Sequence, residues 1–111
     1  MGALAGLAIN PPTPLASIEA SLPHCDLVLV MSVMPGFGGQ KFEDSVLEKV
    51  RALKARPDMQ ALVEVDGGVT TSTIGKCAAA GVDLFVAGSA IFLHDDYDTA
   101  IRDLRTAATT K

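Results

Sequence analysis

Leu27-Val28-Leu29-Val30-Met31-Ser32-Val33-Met34-Pro35-Gly36-Phe37-Gly38-Gly39-Gln40-Lys41 is the stretch on which the fold turns. It opens as a nearly unbroken apolar run, Leu27–Val33, and closes in a proline and a cluster of glycines. A run that is apolar on successive side chains suits a strand buried on both faces, as in a parallel sheet. The sudden change to Pro and Gly marks the strand's carboxyl end, where the backbone can approach a ligand closely. In parallel α/β proteins, ligands bind at that end.

The same texture recurs on either side. Leu4–Ile9, Leu62–Val65 and Leu84–Ala87 read as further buried parallel strands. Segments of helical period separate them. Pro14–Leu22 is the first, with Thr13 as the expected N-cap and Pro14 at the first helical position. Ser45–Ala55 is the second, with Val46, Leu47, Val50 and Leu53 on one face and Glu48, Lys49, Arg51 and Lys54 elsewhere. Thr71–Ala80 is the third, stopped by Gly81, and Asp96–Ala108 is the last. Its Tyr97, Ala100, Ile101, Leu104 and Ala108 share one side. Four βα units in a row predict an α/β fold with parallel strands and helices outside. The chain has 111 residues, whereas a full (β/α)8 barrel takes about 250, or roughly 200 at the low end. It is therefore a small open sheet or half of a barrel.

Hydrophobic residues make up 49% of the chain and charged residues 20%, a globular composition. The net charge is −4 with no basic patch, which argues against a nucleic-acid partner. Met1–Ile9 is apolar but lacks a basic flank and is cut short by Asn10-Pro11-Pro12, so neither a signal peptide nor a membrane span is expected. Cys25 and Cys77 lie far apart, in no metal-like spacing, and read as buried or half-buried thiols of a cytoplasmic protein.

The strand ends carry the chemistry. They are Asn10-Pro11-Pro12-Thr13-Pro14, Met34–Lys41, Asp66-Gly67-Gly68 and Gly88-Ser89-Ala90. Three of them bear glycine, so backbone N–H groups can converge on an anion without help from Lys or Arg. Gly36–Lys41 matches neither the nucleotide-binding P-loop nor G-x-G-x-x-G. Asp66 closes the strand Leu62-Val63-Glu64-Val65-Asp66, where its carboxylate is placed to bind a metal or move a proton. Glu64 shares its side of the strand and is read as a barrel-layer residue or a support for Asp66. His24 and His94 read as surface residues.

These motifs resemble the ribulose-phosphate 3-epimerase family. Leu27–Phe42 is similar to the family's sixth strand and loop, Glu64–Val69 to the seventh, Val86–Phe92 to the eighth and Gly6–Pro14 to the fifth. The resemblance covers essentially the whole chain, and its Pro35–Gln40 run is highly specific. It implies that residues 1–111 form a single partial domain, the C-terminal half of a (β/α)8 TIM barrel. The implied reaction, in the pentose phosphate pathway of carbohydrate metabolism, interconverts D-ribulose 5-phosphate and D-xylulose 5-phosphate. Two aspartates on opposite faces of the substrate exchange a proton at C3. A divalent metal (Zn, Fe, Mn or Co), held by those aspartates and two histidines, stabilises the oxyanion. Asp66 matches one aspartate, both metal ligand and acid/base. Gly36, Phe37, Gly38, Gly39, Gly67, Gly68, Gly88 and Ser89 match phosphate- and substrate-contacting positions, and Met31 a methionine near the reacting carbons.

Two departures stand out. Met34 occupies a position that is more often polar in the family. The other aspartate, both histidines and an early serine belong to the family's first three strands, and this chain starts at the fifth. The resemblance thus implies an incomplete, inactive fragment that pairs with a missing N-terminal half or forms a homo-oligomer. An epimerase for a six-carbon ketose phosphate and a non-catalytic phosphosugar-binding half-barrel stand as alternatives. An aldolase-like or biosynthetic phosphate barrel would more often show a lysine or a second acid on these strands, and Asp66-Gly67-Gly68 with Pro35–Gln40 argues against it.

Overall fold

A computed structural model describes residues 3–33, 42–57, 59–88, 91 and 95–109. Its four strands are β1 (Gly6–Ile9), β2 (Leu27–Met31), β3 (Leu62–Asp66) and β4 (Leu84–Val86). They form one sheet in the order β1-β2-β3-β4, every neighbour parallel. Helices α1 (Val46–Lys54), α2 (Ile74–Ala80) and α3 (Tyr97–Thr109) fill the crossovers and the end of the chain. The α/β reading holds; β1, β2 and β4 are shorter than expected, while β3 runs on through Asp66.

The strands are buried on one face only. Val28, Val30, Val63 and Val65 are fully buried, while Leu29, Met31, Glu64 and Asp66 between them are not. The buried face meets Val46, Val50 and Leu53 of α1, Ile74 and Cys77 of α2, and Leu104 of α3. The opposite face leaves Leu62 49%, Leu84 43% and Val86 38% exposed. Strands apolar on both sides therefore carry one covered face and one bare apolar face, as one wall of a barrel would.

The first predicted helix is a correction. Leu15–Ser17 and Glu19–His24 form two 3-10 segments rather than an α-helix. Pro23 lies inside the second and has no N–H to continue an α-helical ladder. Thr13 caps nothing. Its N–H donates to the Asn10 carbonyl at 2.9 Å and its hydroxyl accepts the Asn10 N–H at 3.2 Å, closing a turn, while Pro14 stays extended. The third helix starts at Ile74 rather than Thr71, because the Thr73 hydroxyl accepts the Thr70 N–H at 2.8 Å and holds residues 70–73 as a turn.

Gly81 ends α2 as expected. It sits at φ 110°, and the Gly81 and Val82 N–H groups donate to the Ala78 and Cys77 carbonyls, both at 3.1 Å. The strand starts, which read as plain turns, are stitched by carboxylates. Asp26 accepts the Ala5 N–H at 2.8 Å, and Asp83 accepts the Val63 N–H at 2.9 Å. Both cysteines are free thiols, Cys25 half-buried and Cys77 buried. Burial pushes the Cys77 thiol up to about 11. Among the described residues no helix is long and apolar enough to cross a membrane.

Candidate functional site

Strand register brings the carboxyl-end residues into one row. Met31 pairs with Asp66, and Asp66 with Val86. Alternation along each strand puts all three on the face turned away from the helices. One row below, Ala8, Leu29, Glu64 and Leu84 cross the same face. Glu64 therefore lies beneath Asp66 on the same side, as its spacing predicted. Both carboxylates are half-buried. Among the described residues no hydrogen bond or ion pair reaches the Asp66 carboxylate.

The glycines after Asp66 are there because two loops meet. Gly67 has φ 119° and Gly68 φ 68°, conformations that favour glycine. A Cβ on Gly67 would lie 2.5 Å from Val33 Cγ2, and one on Gly68 would lie 2.8 Å from the Phe42 nitrogen. Val33 and Phe42 flank residues 34–41, so both described ends of the loop after β2 pack on the loop after β3. Glu43 N–H donates to the Ser32 carbonyl at 2.7 Å, drawing those two ends together. Thr73 donates its hydroxyl proton to the Gly68 carbonyl at 3.0 Å. Lys76 lies 5.3 Å from the Phe42 ring centre and pairs with Asp44. Gly88 differs from these, since a Cβ there would meet nothing within 4 Å.

Two residues that sequence reasoning passed over hold this rim. Ser32 is fully buried, and its hydroxyl donates to the Asp66 carbonyl at 3.0 Å, sharing its proton with the Gly67 carbonyl. The only local signal was a hydroxyl inside an apolar run. Lys49, expected on the polar side of its helix, is half-buried. It donates to the Asn10 carbonyl at 3.2 Å and to the Pro11 carbonyl, tying the loop after β1 to α1. Burial lowers its pKa.

Of the predicted site residues, Met31, Asp66, Gly67, Gly68 and Gly88 lie at the carboxyl rim of the sheet. Gly36, Phe37, Gly38, Gly39 and Ser89 lie outside the described residues, as do Met34, Lys41 and His94. No group of three or more His, Cys, Asp or Glu that could hold a metal ion occurs among the described residues. A cavity of about 570 Å³ opens between β4 and α3, lined by Ile74, Phe85, Ile91 and Leu104, and holds none of the candidate residues.

The sequence pattern of the Ribulose-phosphate 3 epimerase family matches residues 1–92. The chain is 51% identical over 110 residues to a ribulose-phosphate 3-epimerase of Mycobacterium tuberculosis, covering 96% of this chain and 48% of the relative. It is 47% identical over 108 residues to the protein of that name from Escherichia coli K12, covering 95% and 48%. A Mycobacterium leprae protein of the same name is 48% identical over 110 residues, covering 96% and 49%. The chain spans about half the length of the curated relatives it matches.

Proposed function

Because this chain belongs to the ribulose-phosphate 3-epimerase family, we propose that residues 1–111 form a partial domain, the C-terminal half of a (β/α)8 barrel that interconverts D-ribulose 5-phosphate and D-xylulose 5-phosphate. The observation that carries the reading is the row Met31–Asp66–Val86, with a carboxylate at its centre and positive-φ glycines directly after it.

Asp66 takes the proton from C3. The C–H electron pair moves into the C2–C3 bond and the C2 carbonyl becomes an enediolate oxygen. An acid on the opposite face returns a proton to C3 with inverted configuration. Glu64 is on the same face as Asp66, so this second acid comes from outside the described residues. Met31 beside Asp66 covers the apolar side of the reacting carbons. Gly36, Phe37, Gly38, Gly39, Gly67, Gly68, Gly88 and Ser89 contact the phosphate and substrate, mainly through backbone N–H groups.

The complete family site is read as holding a divalent metal, with Asp66 as one ligand. The described residues do not suffice for such an ion. They contribute one rim carboxylate, and a lone carboxylate does not retain a zinc-like ion against water. Of the proton transfers above, the described residues supply only the abstraction by Asp66.

The partners in this reading are a phosphosugar and either an N-terminal half or a second copy of the chain, with no role for nucleic acid or membrane. Work in the cytoplasm, within the pentose phosphate pathway, suits two free thiols. A non-catalytic phosphosugar-binding half-barrel is the second reading, favoured by the single rim carboxylate.

The test joins this chain behind the N-terminal half of the Mycobacterium tuberculosis relative and assays the hybrid beside the isolated chain. The hybrid is expected to epimerise ribulose 5-phosphate faster than a six-carbon ketose phosphate, and the isolated chain to be inactive. A hybrid that binds phosphosugar but epimerises neither substrate would favour the second reading.

A further inference from the structure

Ser32 is the one buried polar or charged side chain among the described residues. It follows β2 on the helix-covered side, in line with Val28 and Val30, where water cannot reach it. A buried hydroxyl is destabilising unless it is hydrogen-bonded. Its partners lie on the neighbouring strand, not on its own. The hydroxyl donates to the Asp66 carbonyl at 3.0 Å and shares its proton with the Gly67 carbonyl. The Ser32 N–H donates to the same Asp66 carbonyl at 2.9 Å. Main-chain and side-chain donors of one residue thus converge on the carbonyls of two consecutive peptides, Asp66–Gly67 and Gly67–Gly68.

We propose that Ser32 is a positioning residue for the Asp66 carboxylate, acting through the Asp66–Gly67 peptide; the role rests on the reading of Asp66 as the proton-transferring group. The side chain of Asp66 leaves the backbone one atom before the clamped carbonyl carbon. The peptide therefore sets the direction in which the carboxylate points. Gly67, at φ 119° with Val33 where a Cβ would be, turns its carbonyl within reach of the hydroxyl. When the hydroxyl is removed, the Asp66 carbonyl keeps the Ser32 amide but the Gly67 carbonyl loses its Ser32 donor. The Asp66–Gly67 peptide then keeps one Ser32 donor of two, and the Gly67–Gly68 peptide keeps none. Reacting groups need to be held within about 0.5 Å, and a misplacement of about 1 Å can cost roughly 100-fold in rate. Glycine amides elsewhere on the rim are untouched, so the loss falls on turnover and not on substrate binding.

Ser32→Ala, Ser32→Cys and Ser32→Thr are compared with Asp66→Asn in the hybrid barrel. Ser32→Ala is expected to lower kcat roughly 10- to 100-fold with KM within about threefold. Ser32→Thr, which keeps the hydroxyl, should restore most of the rate. Ser32→Cys keeps the volume but offers a weak donor, and it should track Ser32→Ala. Full activity in Ser32→Cys or Ser32→Ala, beside an inactive Asp66→Asn, overturns the role of Ser32 and leaves that of Asp66 standing. An Asp66→Asn hybrid with undiminished kcat instead overturns the reading of Asp66, and the Ser32 role with it. Crystal structures of the hybrid and its Ser32→Ala variant give a readout independent of activity. The Asp66 carboxylate should move by at least about 0.5 Å, and an unmoved carboxylate overturns the proposal.

Discussion

Met31 and Asp66 are register partners that end adjacent parallel strands on the same bare face of the sheet. In the proposed reaction this pairing sets an apolar side chain near the carbon whose proton Asp66 removes. In the hybrid barrel, Asp66→Asn keeps the shape and removes the base. A loss of at least about 100-fold in kcat is expected, at the lower end of general acid–base contributions, with the melting temperature little changed. Turnover near the original rate, measured by coupled assay, would reject the acid/base role.

The two rim glycines of different geometry predict different failures. Gly68→Ala places a methyl 2.8 Å from the Phe42 nitrogen at φ 68°, and such strain costs about 1–3 kcal/mol. Its melting temperature should fall. Gly88→Ala meets nothing within 4 Å and should melt like the parent while binding phosphosugar more weakly. Lys41→Ala should weaken binding far less than Gly68→Val or Gly88→Val. Titration calorimetry of each variant decides, and a dominant loss from the lysine change would mean that side-chain charge holds the phosphate.

Acid should loosen the strand start held by Asp83 only as pH falls through its lowered pKa. Burial by itself would raise its pKa. The hydrogen bonds from Lys54 at 2.9 Å and from the Val63 N–H at 2.9 Å, with the Lys54 charge, outweigh burial and lower it. A carboxylate whose folded pKa is depressed stabilises fully above its unfolded pKa of about 3.9 and loses that contribution as pH falls through the folded value. Thermal unfolding of the parent and Asp83→Asn should therefore differ at pH 6 and draw together as pH falls through the lowered folded pKa. A difference that persisted unchanged into acid would show that Asp83 acts without its charge.

The isolated 111-residue chain should not behave as a well-ordered monomer. Leu62, Leu84 and Val86 are exposed on one sheet face, and among the described residues β1 and β4 each present an unpaired edge. Open parallel edges and a bare apolar face invite a further chain. Sedimentation velocity should show dimers or larger species and metal analysis only weak binding. A stable monomer with full metal content and normal turnover would contradict this.

Much of the fold was legible in the chain itself, because it rests on local patterns. Apolar runs ending in Pro and Gly marked β2 and β3, the spacing of Val46, Leu47, Val50 and Leu53 marked α1, and Gly81 marked the end of α2. The Pro35–Gln40 run and Asp66-Gly67-Gly68 carried the family. The tertiary structure alone decided which side of β1, β2 and β4 is covered, since these apolar runs carry no alternation to read, whereas Glu64 and Asp66 already marked one side of β3. It also turned Pro14–Leu22 into 3-10 segments, where Pro23 breaks a ladder that periodicity suggested. The partners of Ser32 and Lys49 lie 34 to 39 residues away along the chain. Hydrogen bonds of that span depend on strand register and crossover packing, which no local window of sequence contains.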